Sequence, residues 1–365
     1  MSGSGEKQVF FTPGPSQIHP LIPQFIGQAL QENICSISHR SKRFEEIYQS
    51  CEDSLRGLLG IPADFSIFFV ASATEAFERT IQNCAAKTSI HLVNGAFSKR
   101  WFETARELGR SAAASLEAPF GSGFDLNNLN IPKEAELLCL THNETSSGVM
   151  LPGAEISKLK ERYNCLVAID IVSSAPYLRF DLSKIDCAFF SVQKGFGLPA
   201  GMCVLIVSPD ALNKAQNLAK LGVSTGSYHS FTSLQQFAKK HQTPETPNVL
   251  SIFLLSKVLE DLQNTGLAGI CSQTEQKAAL IYDAATRIPW LKPFVAEPVL
   301  RSMTTPVLEL SGRTSEQVMA ALSKLGLHLG KGYRPFEESH LRIANFPAQA
   351  IEDVKRLIQA LEDLK

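Results

Sequence analysis

The chain has 365 residues, 44% of them hydrophobic and 19% charged, which suits an ordinary soluble protein with one large α/β domain and a smaller one. Thirty-five basic residues against 36 acidic ones leave a net charge of −1, and such a balance offers no basis for binding nucleic acid or an acidic membrane. No run of about 18 apolar residues is present, so no transmembrane helix is expected. The opening MSGSGEKQVFF lacks the apolar core of a signal peptide. Eight cysteines lie far apart, with no C-x-x-C pair and no zinc spacing. Reduced core thiols in a cytoplasmic protein without a metal are the expectation.

Short apolar runs at 66–70, 90–93, 137–141, 166–172, 187–192 and 202–207 lack polar alternation, as strands buried on both faces of a mainly parallel sheet do. Helical spacing at 97–108 and 154–162 between them argues a doubly wound α/β layer. A helix is expected from 249 to 264, with Leu250, Phe253, Leu254, Val258 and Leu262 on one face. Beyond it, strands at 306–310 and 341–344 and helices at 315–325 and 348–364 read as a separate α+β unit.

Four features fall at strand ends. Ser72-x-x-Glu75 is a capping box that opens a helix, and the free N–H groups and dipole of such an end suit a phosphate, with Ser72, Ala73 and Thr74 at the cradle. An ordinary capped helix would carry the same residues. Asp170 ends an apolar run, where a carboxylate needs a positive partner. A protonated ring nitrogen or a structural ion pair would each serve. Lys194 ends another such run, and Gly195 and Gly197 behind it allow a tight turn; desolvation there lowers a lysine pKa, as Schiff-base chemistry requires. The fourth is the polar loop 141–148, containing Asn143-Glu144-Thr145, at a place where α/β proteins bind ligands. His19, His91, His229 and His328 show no partner pattern and are read as structural.

These segments, with Thr12-Pro13-Gly14-Pro15, Ser38-His39-Arg40 and Gln193-Lys194 ahead of Pro199-Ala200-Gly201, resemble the class V aminotransferases of pyridoxal-phosphate (PLP) fold type I, and within them the phosphoserine-forming branch. The resemblance implies a large PLP-binding domain over 17–260, with a mainly parallel seven-stranded sheet between helices. It also implies a smaller C-terminal α+β domain over 261–365 joined by 1–16. Lys194 then looks like the lysine that bonds the cofactor and Asp170 like the partner of its ring nitrogen. Thr145 matches the residue at the ring oxygen, Gln193 one that helps hold the phosphate, and Phe97 the aromatic that stacks on the ring, where the family usually has Trp.

The family builds its site in a homodimer, with a threonine from the neighbouring subunit at the cofactor phosphate; Thr246 is the better match and Thr243 the second. Arg342 matches the arginine that takes the substrate α-carboxylate, for which a bidentate guanidinium is suited. His39-Arg40 and Tyr333-Arg334 match the two segments that read a substrate phosphate, with Tyr333 where the family has His. The implied reaction moves an amino group between glutamate and 3-phosphohydroxypyruvate, giving phosphoserine and 2-oxoglutarate. The rivals are another class V transaminase, such as one using serine or alanine with glyoxylate, and a PLP cysteine desulfurase, for which no exposed loop cysteine is apparent. A nucleotide-binding oxidoreductase is the rival from another class, suggested by Gly195-x-Gly197-x-x-x-Gly201, although the dinucleotide spacing is G-x-G-x-x-G.

Overall fold

The computed structural model describes residues 7–364. The first part of the small-domain expectation, residues 1–6, lies outside them. Among the described residues no helix is long and apolar enough to cross a membrane.

The chain enters through β1 (Val9–Phe11), α1 (Ile22–Gln31) and α2 (Lys42–Leu59). The large sheet follows, built from β2 (Ser66–Val70), β3 (Thr88–Val93), β4 (Ala112–Glu117) and β5 (Leu137–Thr141). A two-residue hairpin of β6 (Asn143–Glu144) and β7 (Val149–Met150) precedes its last strands, β8 (Leu166–Asp170), β9 (Cys187–Ser191) and β10 (Cys203–Val207). Its order is β2-β10-β9-β8-β5-β3-β4, and only β10 runs against the rest. The apolar runs read from sequence are these strands to within two residues: β8, β9 and β10 are trimmed at one end, and β3 begins two polar residues earlier, at Thr88. β4 is the one the sequence hid: it lies at an edge, and its three alanines and half-exposed alternation carry no apolar signal.

Helices cover both faces: α3 (Ala73–Cys84), α4 (Ala96–Glu107), α5 (Gly153–Ile156), α6 (Leu159–Arg162), α7 (Pro209–Lys220) and α8 (Phe231–Ala238). The single helix expected over 154–162 is therefore two turns of helix separated at Ser157, whose hydroxyl donates to the Gly153 carbonyl (3.2 Å) and competes with the helical ladder.

The helix expected to stop at 264 continues as α9 (Val249–Arg287), bent at Gly266 (φ 67°, ψ 161°), where only glycine adopts the conformation without strain. Of its expected apolar face, Phe253, Leu254, Val258 and Leu262 are buried and Leu250 half-buried. The sequence-based division at 260 falls inside this helix. Past it, β11 (Leu291–Pro293), β12 (Val307–Leu310), β13 (Leu327–Lys331) and β14 (His340–Arg342) join β1 in a second sheet of order β1-β13-β14-β12-β11. Helices α10 (Ser315–Ser323) and α11 (Ile351–Asp363) pack on it.

Between α3, α4 and the large sheet, Phe189 is fully buried and meets the Trp101 and Phe77 rings edge-on at 5.1 and 5.4 Å. Removing it leaves a void that this rigid layer closes poorly, so Phe189→Ala should cost about 3–5 kcal/mol, read as a lower urea midpoint at unchanged slope. A loss below about 1 kcal/mol would mean the layer collapses to fill the space.

Candidate active site

The parallel strands end on one edge, and eight of the nine residues expected to hold the cofactor, all but Thr246, meet there. β2 runs into α3, whose first N–H groups have no acceptor inside the helix. Ser72 Oγ accepts from the Glu75 N–H (3.1 Å), and the Glu75 carboxylate reaches back to the Ala71 N–H (2.8 Å), one residue before the one a standard capping box uses. The helix end opens on a cavity of about 200 Å³ lined by Ser72, Ala73, Thr74, Phe77, Phe97, Asn143, Thr145, Asp170, Val172, Ser191, Gln193 and Lys194.

Asp170, the last residue of β8 and the register partner of Thr141, is 4% exposed and accepts the Val172 N–H at 2.8 Å. Burial pushes its carboxyl well above the usual range, and the Val172 N–H and Lys194 restrain that rise only in part. Lys194 is 8% exposed; its Nζ donates to Thr145 Oγ1 (3.3 Å) and stands 5.1 Å from the centre of the Phe97 ring. Burial lowers its proton affinity, the charge of Asp170 opposes this, and Arg342 adds to it. Among the described residues no ion pair joins the two. Gly14 (φ 149°) leaves the lysine its room, since a Cβ there would lie 2.8 Å from Lys194 Cε.

A second cavity, about 530 Å³, shares Lys194, Phe97, Thr145 and Gln193 with the first and extends to Thr12, Gly14, Lys331, Tyr333 and Arg342. Arg342 is fixed by donating Nε to the Lys331 carbonyl (2.8 Å), and its guanidinium lies 5.3 Å from the centre of the Tyr333 ring. Tyr333 in turn lies 5.7 Å from Phe97, so two aromatic rings wall the space between the lysine and the arginine. A larger groove of about 620 Å³ runs along α10 but shares only Met319, Leu329 and Lys331 with this cavity and is lined by no residue of the large sheet.

Not every expected residue arrives. Arg334 is 89% exposed and lines neither cavity. Arg40 donates to the Thr243 carbonyl (2.6 Å), the Pro244 carbonyl (3.3 Å) and Gln242 (3.2 Å), and neither it nor His39 lines the two cavities within this chain. Thr246 is exposed, whereas Thr243 is buried with its hydroxyl bonded to the Glu245 carbonyl (2.7 Å). Cys35, in a turn read from sequence as carrying no exposed thiol, is exposed, yet it lines neither cavity. Nor is the glycine motif a dinucleotide loop: β10, not a helix, follows Gly201, and a Cβ at Gly195 would sit 1.9 Å from the Ala175 carbonyl oxygen.

The sequence also missed contributors. Glu144 is fully buried, and its carboxylate accepts the Ser98 N–H and Oγ–H (both 2.9 Å) and the Ser146 N–H (3.1 Å) and Oγ–H (2.6 Å). It thus caps α4, which carries Phe97, from the loop that carries Thr145. Ser173 accepts from the Thr145 hydroxyl (2.6 Å) and from Asn143 Nδ2 (2.8 Å) and donates to the Asn143 carbonyl (2.8 Å). Both roles depend on contacts across the fold, which no local pattern announces. His229, read as partnerless, faces the Glu75 and Glu245 carboxylates.

Deleting the Glu144 carboxylate would strand several buried donors at once. Glu144→Ala should therefore cost at least about 3 kcal/mol of stability, measured by chemical unfolding, while Glu144→Gln loses less because an amide oxygen still accepts. Equal losses in both variants would show that the charge, not the acceptor, holds α4.

Residues 9–357 match the family model described as aminotransferase class-V. The solved phosphoserine aminotransferase of Cytophaga hutchinsonii is 45% identical, with a TM-score of 0.96, over 98% of this chain and 99% of that one. The phosphoserine aminotransferase of Rhodococcus opacus (strain B4) is 26% identical over 355 residues, 96% of this chain and 93% of its own length. An alanine–glyoxylate aminotransferase from Nostoc sp., 22% identical with a TM-score of 0.80, covering 99% of this chain and 97% of that one, shares the fold. A family match over nearly the whole chain, on a sheet edge that gathers a buried lysine and a buried aspartate, means that this protein belongs to the class V aminotransferases.

Proposed function

We propose that the chain uses PLP to transfer an amino group between glutamate and 3-phosphohydroxypyruvate, forming phosphoserine and 2-oxoglutarate. The observation that carries the reading is Lys194 Nζ, buried at the junction of two cavities, one ending at a helix N-terminus and Asp170, the other at Arg342. The 45% identity to a solved phosphoserine aminotransferase supports the substrate.

The residues fit the cofactor. Gln193 Oε1 is buried without a partner among the described residues, so nothing holds the amide from turning its Nε2 donor to an anion at this helix end. Asp170 is a buried carboxylate with one backbone donor, a state that calls for a cationic neighbour such as a protonated pyridine nitrogen. Ser72, Ala73, Thr74 and Gln193 would hold the phosphate, Asp170 the ring nitrogen, Thr145 the ring oxygen and Phe97 the ring face. When bound, PLP supplies an aldehyde that captures the amine and a ring that accepts the electron pair left at the substrate α-carbon.

The chain's own residues do the rest. Arg342, pre-set by the Lys331 carbonyl, takes the α-carboxylate and points the α-hydrogen at Lys194. Lys194, with proton affinity reduced by burial, would remove that proton as general base and pass it to the cofactor carbon that carries the amine, and would carry it the other way in the opposite half-reaction. Thr145 holds Nζ in place, itself held by Ser173. Asp170 keeps the ring-nitrogen proton from leaving, and Phe97 and Tyr333 exclude water.

The phosphate end of the substrate is read by His39, Arg40, Tyr333 and Arg334, with His39 and Arg40 supplied by the neighbouring subunit of a homodimer, whose Thr246 would reach the cofactor phosphate. Arg40 is bonded to the segment that precedes Thr246, so both would enter the partner's site together. Cys84 and Cys187, with sulfurs 3.7 Å apart and unbonded, suit a reducing cytoplasm. That none of the phosphate-reading residues except Tyr333 lines the cavity within one chain favours a second reading, a transaminase whose acceptor carries no phosphate.

The visible band of the PLP-loaded protein separates the two. Glutamate should bleach it, and 3-phosphohydroxypyruvate, but not pyruvate or glyoxylate, should restore it; restoration only by an unphosphorylated keto acid would establish the second reading. Arg40→Ala should raise KM for the phosphorylated acceptor about 10–100-fold and leave the glutamate half-reaction unchanged. An unaltered KM would remove Arg40 from the site.

A further inference from the structure

His229 lies outside both cavities, yet it is among the most constrained ionisable groups of the molecule. Its side chain is 4% exposed, with Nδ1 on the Glu75 carboxylate and Nε2 on Glu245 at 2.8 Å. Ionised carboxylates only accept hydrogen bonds, so a ring facing one at each nitrogen donates from both and carries a positive charge. Glu75 sits in the first turn of α3, where its own charge competes with any other anion for the helix N-terminus. Glu245 precedes Thr246, and its backbone carbonyl accepts the Thr243 hydroxyl at 2.7 Å.

We propose that His229 is a positioning residue for the cofactor phosphate: its imidazolium cancels the Glu75 charge at the phosphate-facing helix end and ties the segment carrying Thr246 to that helix. This rests on the reading that the N-terminus of α3 holds the phosphate of PLP. Left alone, Glu75 would repel a dianion placed one turn away; paired with His229, it still anchors the Ala71 N–H (2.8 Å) without doing so.

Burial alone would lower the proton affinity of His229, but Glu245 and Glu75 override it and lift the pKa to about 9. Because the folded value is raised, the clamp is intact at neutral pH and is lost as pH climbs through about 9. The other ionisable groups facing the cluster are Arg79 on α3, Tyr228 with its ring tilted against the imidazole at 4.0 Å between centroids, His39 and Arg40 near Glu245, and the buried Tyr48 and Cys203.

The test is the PLP dissociation constant, read from the visible band of the full-length protein between about pH 7 and about pH 10, with the melting temperature of each variant as a folding control. His229→Gln should weaken PLP about tenfold at neutral pH and remove the loss that the native protein shows near the imidazole pKa. Adding Glu75→Gln to His229→Gln should restore most of the affinity, because the uncancelled charge is gone; a purely structural defect would not be repaired this way. Glu245→Gln keeps the imidazole but removes one carboxylate, so its loss of PLP should begin at lower pH, and this variant decides the matter if His229→Gln does not fold. Native affinity and pH profile in His229→Gln, no rescue by Glu75→Gln, or an unmoved profile in Glu245→Gln would each overturn the proposal. Failure of the native protein to bind PLP would instead overturn the cofactor reading beneath it.

Discussion

Two opposite charges buried without each other set the terms for the rest of the molecule. Asp170 ends β8 and Lys194 lies three residues past the end of the neighbouring parallel strand β9; both lose nearly all contact with water, and no ion pair joins them among the described residues. Each such group carries a desolvation penalty of several kcal/mol. A fold keeps that arrangement when a ligand between them satisfies both, as the proposed PLP would with its ring under Phe97, its phosphate at the start of α3 and its basic nitrogen at Asp170. The central claim is therefore that Lys194 is the covalent anchor of that ligand.

Holding two such groups in place demands stiffness from structure that is otherwise loop. The large sheet supplies it by ending six strands on one edge, so the residues after Val70, Val93, Thr141, Asp170 and Ser191, the ends of five of them, begin from fixed points. Hydrogen-bonded carboxylates supply the remainder. Glu144 clamps α4 and its Phe97 to the Thr145 loop, and Glu75 anchors the turn into α3. The N-terminal segment closes the other side, where Ser16 donates to the Gln193 carbonyl (3.1 Å) and Gly14 yields space to the lysine chain. The small sheet contributes Arg342 and Tyr333, so the substrate cavity exists only where the two sheets' edges face one another.

Much of this was legible in the residues. Uninterrupted apolar runs mark strands buried on both faces, and six were placed within one or two residues. Asp170 and Lys194 stood out because a charge at the end of such a run is costly unless used. What stayed hidden depended on distance in sequence. β4 is an edge strand of small residues with no apolar signature. The extension of α9 past Gly266 is decided by packing, since a glycine alone does not say whether a helix ends or bends. His229 meets its carboxylates across 154 and 16 residues of chain, so no spacing rule connects them. Arg334 shows the opposite case: a motif points it to the substrate, while within one chain its side chain stands in solvent.

One measurement addresses the covalent anchor directly: borohydride reduction of the PLP-loaded protein, followed by digestion and mass analysis of the modified peptide. The chain offers a built-in control in Lys277, which is also buried, with a pKa lowered to about 8, but whose Nζ is taken up by the Phe346 (2.7 Å) and Gln349 (2.8 Å) carbonyls. Modification of the peptide carrying Lys194, at one cofactor per chain, is the predicted result. A label on Lys277 or on surface lysines, with Lys194 unmodified, would contradict the account at its foundation.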